Sequence, residues 1–260
     1  MNPRRLALAT LCLVDPVAKA AQARALFAGL HLRAIDPSEA IAAPNTLPGR
    51  PVLPRLVAPK EVPARSPFTL EGRAALLHAV THIEFNAINL ALDAVWRFDG
   101  MPVAYYADWL RVASEEALHF TLLREHLQTL GVDYGSFDAH GGLWAMTQRT
   151  AHDVTARMAL VPRTLEARGL DATPPMQARL RRAGDLRAVE ILGVILRDEV
   201  GHVAIGNHWY RWLCARGGHD PVALYAELAL RYEAPRLRPP FNHAARLAAG
   251  FTEAEIAFLT

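Results

Sequence analysis

After residue 70 the apolar positions recur at spacings of three, four and seven, and nowhere does the chain sustain apolar-polar alternation. The first pattern marks helices that bury one face, and the missing second pattern would have marked strands, so the fold class is all-α. Leu77, Val80, Ala87, Ile88 and Ala91 form one apolar stripe on a helix from Leu70 to Phe98, with Thr69 as its cap. Asp99-Gly100-Met101-Pro102 stops that helix and begins another, from about Val103 to Leu130, closed by Gly131. So short a connection makes the two antiparallel neighbours. The Gly- and Asp-rich segment Val132 to Leu143 is read as a loop before a third helix, from about Trp144 to Arg168 and kinked by Pro162. Asp171 to Pro175 interrupts it, and a fourth helix runs from its N-cap Asp185 to Gly217. A shorter helix starts at Asp220-Pro221 and ends before Pro235, and Thr252-x-x-Glu255 is a capping box for a last one.

The start of the chain has a different texture. Asp15-Pro16 reads as a cap and first-turn proline for an amphipathic helix through about Leu30. Arg4-Arg5 and the apolar run Leu6 to Val14 share parts of a secretory signal, a reading that the Asp15-Pro16 start opposes. From about His31 to Pro67, prolines at 37, 44, 48, 51, 54, 59, 63 and 67 remove backbone donors too often for regular structure. This segment is expected to be an extended arm that wraps the domain. The expected organisation is an N-terminal helix and arm over 1–67, a four-helix bundle over 68–217 and accessory helices over 218–260.

Composition narrows the function classes. At 260 residues and 52% hydrophobic, the chain can bury a sizeable core. A formal charge of +2 requires neither a nucleic-acid nor a membrane partner, and no apolar run approaches the ~20 residues that span a bilayer. Cys12 and Cys214 lack C-x-x-C spacing, which argues against a disulfide framework or a thiolate zinc site and for the cytoplasm.

Two acids lie where the apolar stripes should face the core. Glu116 shares its face with Trp109, Val112, Ala113, Phe120 and Leu123, and Glu199 shares its face with Leu192, Ile195, Leu196 and Val203. An unpaired buried carboxylate is costly, and a cation that neutralises several acids together removes the objection. Each acid begins a Glu-x-x-His pair, Glu116 with His119 and Glu199 with His202, whose members share a helix face. Di-metal carboxylate bundles add one Glu from each of two further helices. Glu84 is the acid within the first stripe, and Glu166 is the single Glu between Trp144 and Asp185. The spacings agree: 116 − 84 = 32 and 199 − 166 = 33. Carboxylate and imidazole donors suit two iron ions, with manganese the alternative and zinc a third choice.

A two-fold exchange of the hairpins requires the 132–143 connection to travel the bundle. A helix of about 28 residues is roughly 42 Å long, and that connection reaches at most about 40 Å, so a crossover is just feasible, especially where either helix frays. Glu166 lies near Pro162, Arg163 and Gly169, so either its helix resumes beyond Pro174-Pro175 or the site is asymmetric. Singly, each residue has a plainer reading, since a lone Glu is usually solvated and Glu-x-x-His pairs arise by chance. Asp198 is assigned to orient a ligating imidazole, His119, and its counterpart Glu115 to orient His202. His78 and His82 are expected in the core or behind the ligands, and His208 in the core.

Three stretches carry a resemblance: His78-Ala-Val-Thr-His-Ile-Glu84, Val161-Pro-Arg-Thr-Leu-Glu-Ala-Arg-Gly169, and Arg197-Asp-Glu-Val-Gly-His-Val-Ala-Ile-Gly-Asn-His-Trp-Tyr210. Through them, and through the Pro-rich arm, the chain resembles an uncharacterised bacterial family of the ferritin-like superfamily, distantly related to its tRNA hydroxylases. The resemblance implies a four-helix bundle with a long crossover, a di-iron or dimanganese site, and oxygen or peroxide chemistry. The expected function is therefore an oxidoreductase that hydroxylates or oxidises a small-molecule or nucleoside substrate and draws on an external electron donor. A ferroxidase or storage-type protein is the rival. Arg179, Arg181, Arg182 and Arg187 are the residues through which tRNA would be held.

Overall fold

The computed structural model describes residues 1–44, 46–62 and 66–259. Pro63, one of the arm prolines, lies outside the described residues. Among the described residues the chain is all-α, its one β feature an isolated bridge between Leu56 and Ala139. Among the described residues no helix is long and apolar enough to cross a membrane. The chain divides into two compact units, 1–144 and 145–260.

The first unit opens with α1 (Pro3–Leu11) and α2 (Pro16–Ala28). Asp15 caps α2 through the Ala18 N–H, as expected, whereas α1 is an addition to the expected elements. Arg4 on α1 is buried and donates to the carbonyls of Val95, Trp96 and Glu39. The hairpin of α3 (Leu70–Arg97) and α4 (Val103–Thr129) forms the body of this unit. Thr69 caps α3 by accepting the Gly72 N–H. Between the helices, Gly100 adopts φ +68°, and the Tyr106 hydroxyl donates to Phe98 O while accepting the Met101 N–H. Gly131, at φ +81°, closes α4, and the Val132 N–H reaches back to Leu127 O.

The Pro-rich arm lies along this body. Its backbone pairs with the loop after α4 through Val57 N–H to Ala139 O and Ala139 N–H to Arg55 O. Further back, Lys19 is fully buried and donates to Gly49 O (2.6 Å) and Asn89 Oδ1 (2.5 Å), its ammonium 5.0 Å from the centre of the Phe85 ring. Burial pushes this ammonium down to about 7, with Cys12 acting in the opposite direction. Lys19→Met keeps the apolar stem and releases the Gly49 carbonyl. Tryptic cleavage after Arg55, the arginine of this stretch that is not followed by proline, is expected to quicken roughly ten-fold, the scale of losing one hydrogen bond to a charged group in a locally opening segment. An unchanged cleavage rate would show that Lys19 does not hold the arm.

The second unit departs from the expected third helix. In place of one kinked helix there are α5 (Gly142–Arg149), which spans the boundary between the units, then α6 (Val154–Leu160) capped by Asp153. A π-turn over Val161–Glu166 follows and leads directly into α7 (Ala167–Arg182). The expected interruption at Asp171 to Pro175 is absent, and α7 runs through Pro174 and Pro175. Pro174 offers no N–H to Leu170 O, and the Asn242 side-chain amide donates to that carbonyl instead (3.1 Å). The Asn242 N–H in turn bonds the Asp171 carboxylate. Sequence spacing alone could not show that residue 242 would supply the missing donor.

Helix α8 (Leu186–Gly217) starts at Asp185, which accepts the Ala188 N–H, and ends at Gly218 with φ +69°. It packs against α6, the π-turn and α7. Then come α9 (Pro221–Arg231), α10 (His243–Ala248) and α11 (Glu253–Leu259). The capping box at Thr252 and Glu255 forms in both directions, with Thr252 N–H to Glu255 Oε2 and Glu255 N–H to Thr252 Oγ1. Ala249, Phe251 and Ile256 pack with Ala167, Leu170 and Val203, so the C-terminal helices share a core with α7 and α8.

Candidate metal centre

Within the first unit, α3 and α4 bring Glu84, Glu116 and His119 together. The three-residue offset turns Glu116 and His119 to one face of α4, opposite Glu84. His119 Nδ1 lies 3.2 Å from Oε2 of Glu84 and 3.2 Å from Oε2 of Glu116. All three side chains are buried, and one donor atom from each falls within 4.8 Å of the others. The residues that follow Glu84 and His119 in sequence, Phe85 and Phe120, pack with ring centres 5.7 Å apart.

This environment sets the charge state. Burial, and then the Glu116 carboxylate, push the Glu84 carboxyl up to about 7, against the lowering effect of His119. Two carboxylates facing one another away from water resist ionising together. A divalent cation removes that resistance, and two carboxylates with one imidazole are donors suited to iron or manganese, with zinc also compatible. The residues present therefore fit a metal ion.

The second unit carries the matching residues. Glu199 and His202 lie on the same face of α8, with His202 Nδ1 3.9 Å from Glu199 Oε2, and both are buried. Glu166 is buried at the last position of the π-turn, and among the described residues it forms no cluster with Glu199 and His202 like that of Glu84, Glu116 and His119. That turn is keyed into α8 one helical turn beyond His202: Arg163 donates to Asn207 Oδ1 (2.6 Å), and a Cβ added at Gly206 would lie 2.5 Å from the Pro162 Cβ. Gly206 is thus the position that lets Pro162 approach. Gly169, expected as a helix end, lies inside α7.

The other histidines sort differently. His78 and His82 are core residues that tie down the loop after α4. The Gly135 N–H donates to His78 Nε2 (2.9 Å), His82 Nδ1 lies 2.8 Å from the Tyr134 hydroxyl, and both imidazoles stack on the Tyr134 ring. Burial pushes both down to about 4, so they are neutral at pH 7. His208 is exposed and rests its ring on Trp209, which corrects the expected core position; Asn207 beside it is the buried residue. Asp198 accepts from its neighbour Arg197 (2.9 Å), and Glu115 is half-buried.

Sequence reasoning missed the tertiary pairing of Arg163, Asp171, Arg246 and Glu255. Arg163 pairs with Glu255, and Arg246 with Asp171. Each has a sufficient local explanation in sequence, Glu255 as a capping residue above all, and no spacing rule links 163 to 255.

Comparison with known proteins places the chain among relatives. Residues 12–257 match the family described as protein of unknown function (DUF455). A protein of Haemophilus influenzae, described as an uncharacterized protein, is 55% identical over 213 residues, covering 79% of this chain and 74% of the relative. No solved structure matches. With the family's match running over nearly the whole length, and a relative this similar, the chain belongs to the DUF455 family.

Proposed function

We propose that Glu84, Glu116, His119, Glu166, Glu199 and His202 hold two metal ions, iron by preference, in one centre of a ferritin-like bundle. On this reading the protein is a di-metal carboxylate oxidoreductase. It uses dioxygen or peroxide to hydroxylate or oxidise a small-molecule or nucleoside substrate, with electrons from an external donor. The observation that carries the reading is the buried Glu84, Glu116 and His119 cluster, whose carboxyl chemistry calls for a cation. Joining the two half-sites rests on their matching ligand types and on spacings of 32 and 33 residues.

Non-haem iron supplies the oxygen chemistry when bound. The chain's own residues supply the rest. The four carboxylates balance the positive charge, the two imidazoles add neutral donors, and the burial of Glu84, Glu116 and His119 keeps water from the first half-site.

Reconstitution with ferrous iron without oxygen, followed by exposure to oxygen, tests this. About two irons per chain, oxidised once with an absorption change and no further uptake of iron, is the expected result. Continued accumulation of iron in a large particle would favour storage. Chain without stoichiometric metal would end both readings. A tRNA substrate further requires RNA binding that weakens steeply with salt.

A further inference from the structure

The turn that carries Glu166 is clamped by charged side chains from the C-terminal helices. The Arg163 guanidinium, only 4% exposed, forms a 2.8 Å ion pair with Glu255 of α11, itself 4% exposed. It also lies over the rings of Phe251 (4.7 Å), Tyr210 (5.1 Å) and Tyr225 (5.5 Å). Glu255 accepts further hydrogen bonds from Arg211 (2.5 Å) and from the Thr252 N–H (2.7 Å). Burial pushes its carboxyl up, but Arg163, the Thr252 N–H and Arg211 together hold it below its ordinary value. A second clamp follows eight residues later: Arg246 of α10 is buried and pairs with Asp171 of α7 (2.6 Å).

Burying such a pair seldom gains stability over an apolar replacement of the same shape, because desolvation offsets the attraction. Position is what it can fix. The π-turn is a local widening of the helix, a feature frequent at functional sites, and Arg163 is the residue in it that reaches both α8, through Asn207, and α11, through Glu255. Glu166 follows three residues later, on the same short turn.

We propose that α11, acting through the Arg163–Glu255 pair, sets the position of Glu166 as a metal ligand, so that Arg163 and Glu255 are positioning residues of the metal centre. This rests on the reading of Glu166 as a ligand. Loosening α11 weakens one metal position while the fold persists.

The test is an anaerobic titration of the full-length chain with cobalt(II), followed by the visible absorption of the bound ion. Glu255→Gln keeps the shape and removes the charge. It is expected to weaken one of the two cobalt positions by roughly 10- to 100-fold, the usual cost of disturbing a residue behind a ligand, and to alter that position's absorption band. Glu166→Gln weakens the same position, and the double variant is no weaker than Glu166→Gln alone. Glu255→Asp restores part of the loss, which a general loss of stability would not explain. If Glu255→Gln fails to fold, the part-exposed Arg211→Gln loosens the same carboxylate and carries the same comparison. A wild-type titration from the loosened variant beside a defective Glu166→Gln overturns the latch alone. So does a double variant whose losses multiply. A wild-type titration from Glu166→Gln overturns the ligand reading and the latch with it.

Discussion

Glu116→Ala is expected to abolish tight metal binding at the first half-site. Affinity should fall by at least about 100-fold, the upper end of the usual cost of a change behind a ligand, so that little metal survives desalting after reconstitution. Glu116 interacts with both other groups of its cluster: its carboxylate is 3.2 Å from His119 Nδ1, and its charge is the second cause, after burial, of the raised Glu84 carboxyl. Removing it leaves one carboxylate and one imidazole, too few donors for a stable site. Glu190→Ala, which removes an exposed acid paired with Arg187 on the same helix, is the control and should retain full metal content. Metal analysis of both variants by atomic emission decides the matter. Full occupancy in Glu116→Ala would remove the cluster from consideration as a metal site.

The same geometry predicts that Glu84→Gln stabilises the metal-free protein while impairing the metal-bound one. The Glu84 carboxyl is raised from about 4.5 to about 7 in the folded chain, by burial first and then by Glu116. The sign follows from proton binding. Between about pH 4.5 and pH 7 the folded state holds a proton that the unfolded state has released, so the stability this group contributes is full below pH 4.5 and is lost as pH rises through 7. At pH 8 the ionised carboxyl is therefore a burden on the apoprotein, and the amide of Glu84→Gln is free of it. Denaturant unfolding without metal should find the variant more stable at pH 8, by a margin on the order of 1–3 kcal/mol. Near pH 4.5 the difference should vanish. With metal the order reverses, because the amide is a poorer ligand and binding stabilises only the form it binds. A variant less stable than wild type at pH 8 without metal would mean that Glu84 is not strained by its neighbours.

The parts legible in sequence were those whose physics is local. The α3 and α4 hairpin follows from a helical stripe, a threonine cap and a Gly100 stop, and α8 follows from Asp185 at one end and glycine at the other. Glu84, Glu116, Glu199 and His202 could be singled out because an acid within an apolar stripe needs an explanation. The segment between 142 and 182 was not legible for a matching reason. Pro162 marked an irregularity but could not distinguish a kink from a π-turn, since the difference lies in whether Gly206, 44 residues later, leaves room for its ring. Pro174 and Pro175 looked like a break because the donor for Leu170 O comes from Asn242. In each case the deciding partner is distant in sequence. The same holds for Glu255, whose capping role hid its pairing with Arg163.

The central claim is the proposal that the six candidate ligands form one centre rather than two separate sites, and magnetic measurement addresses it most directly. The wild-type chain, loaded with iron-57 and oxidised, should hold about two irons per chain. Its Mössbauer spectrum at liquid-helium temperature should show an antiferromagnetically coupled pair with no net magnetism. Two magnetically independent ferric ions, or a single iron per chain, would contradict it.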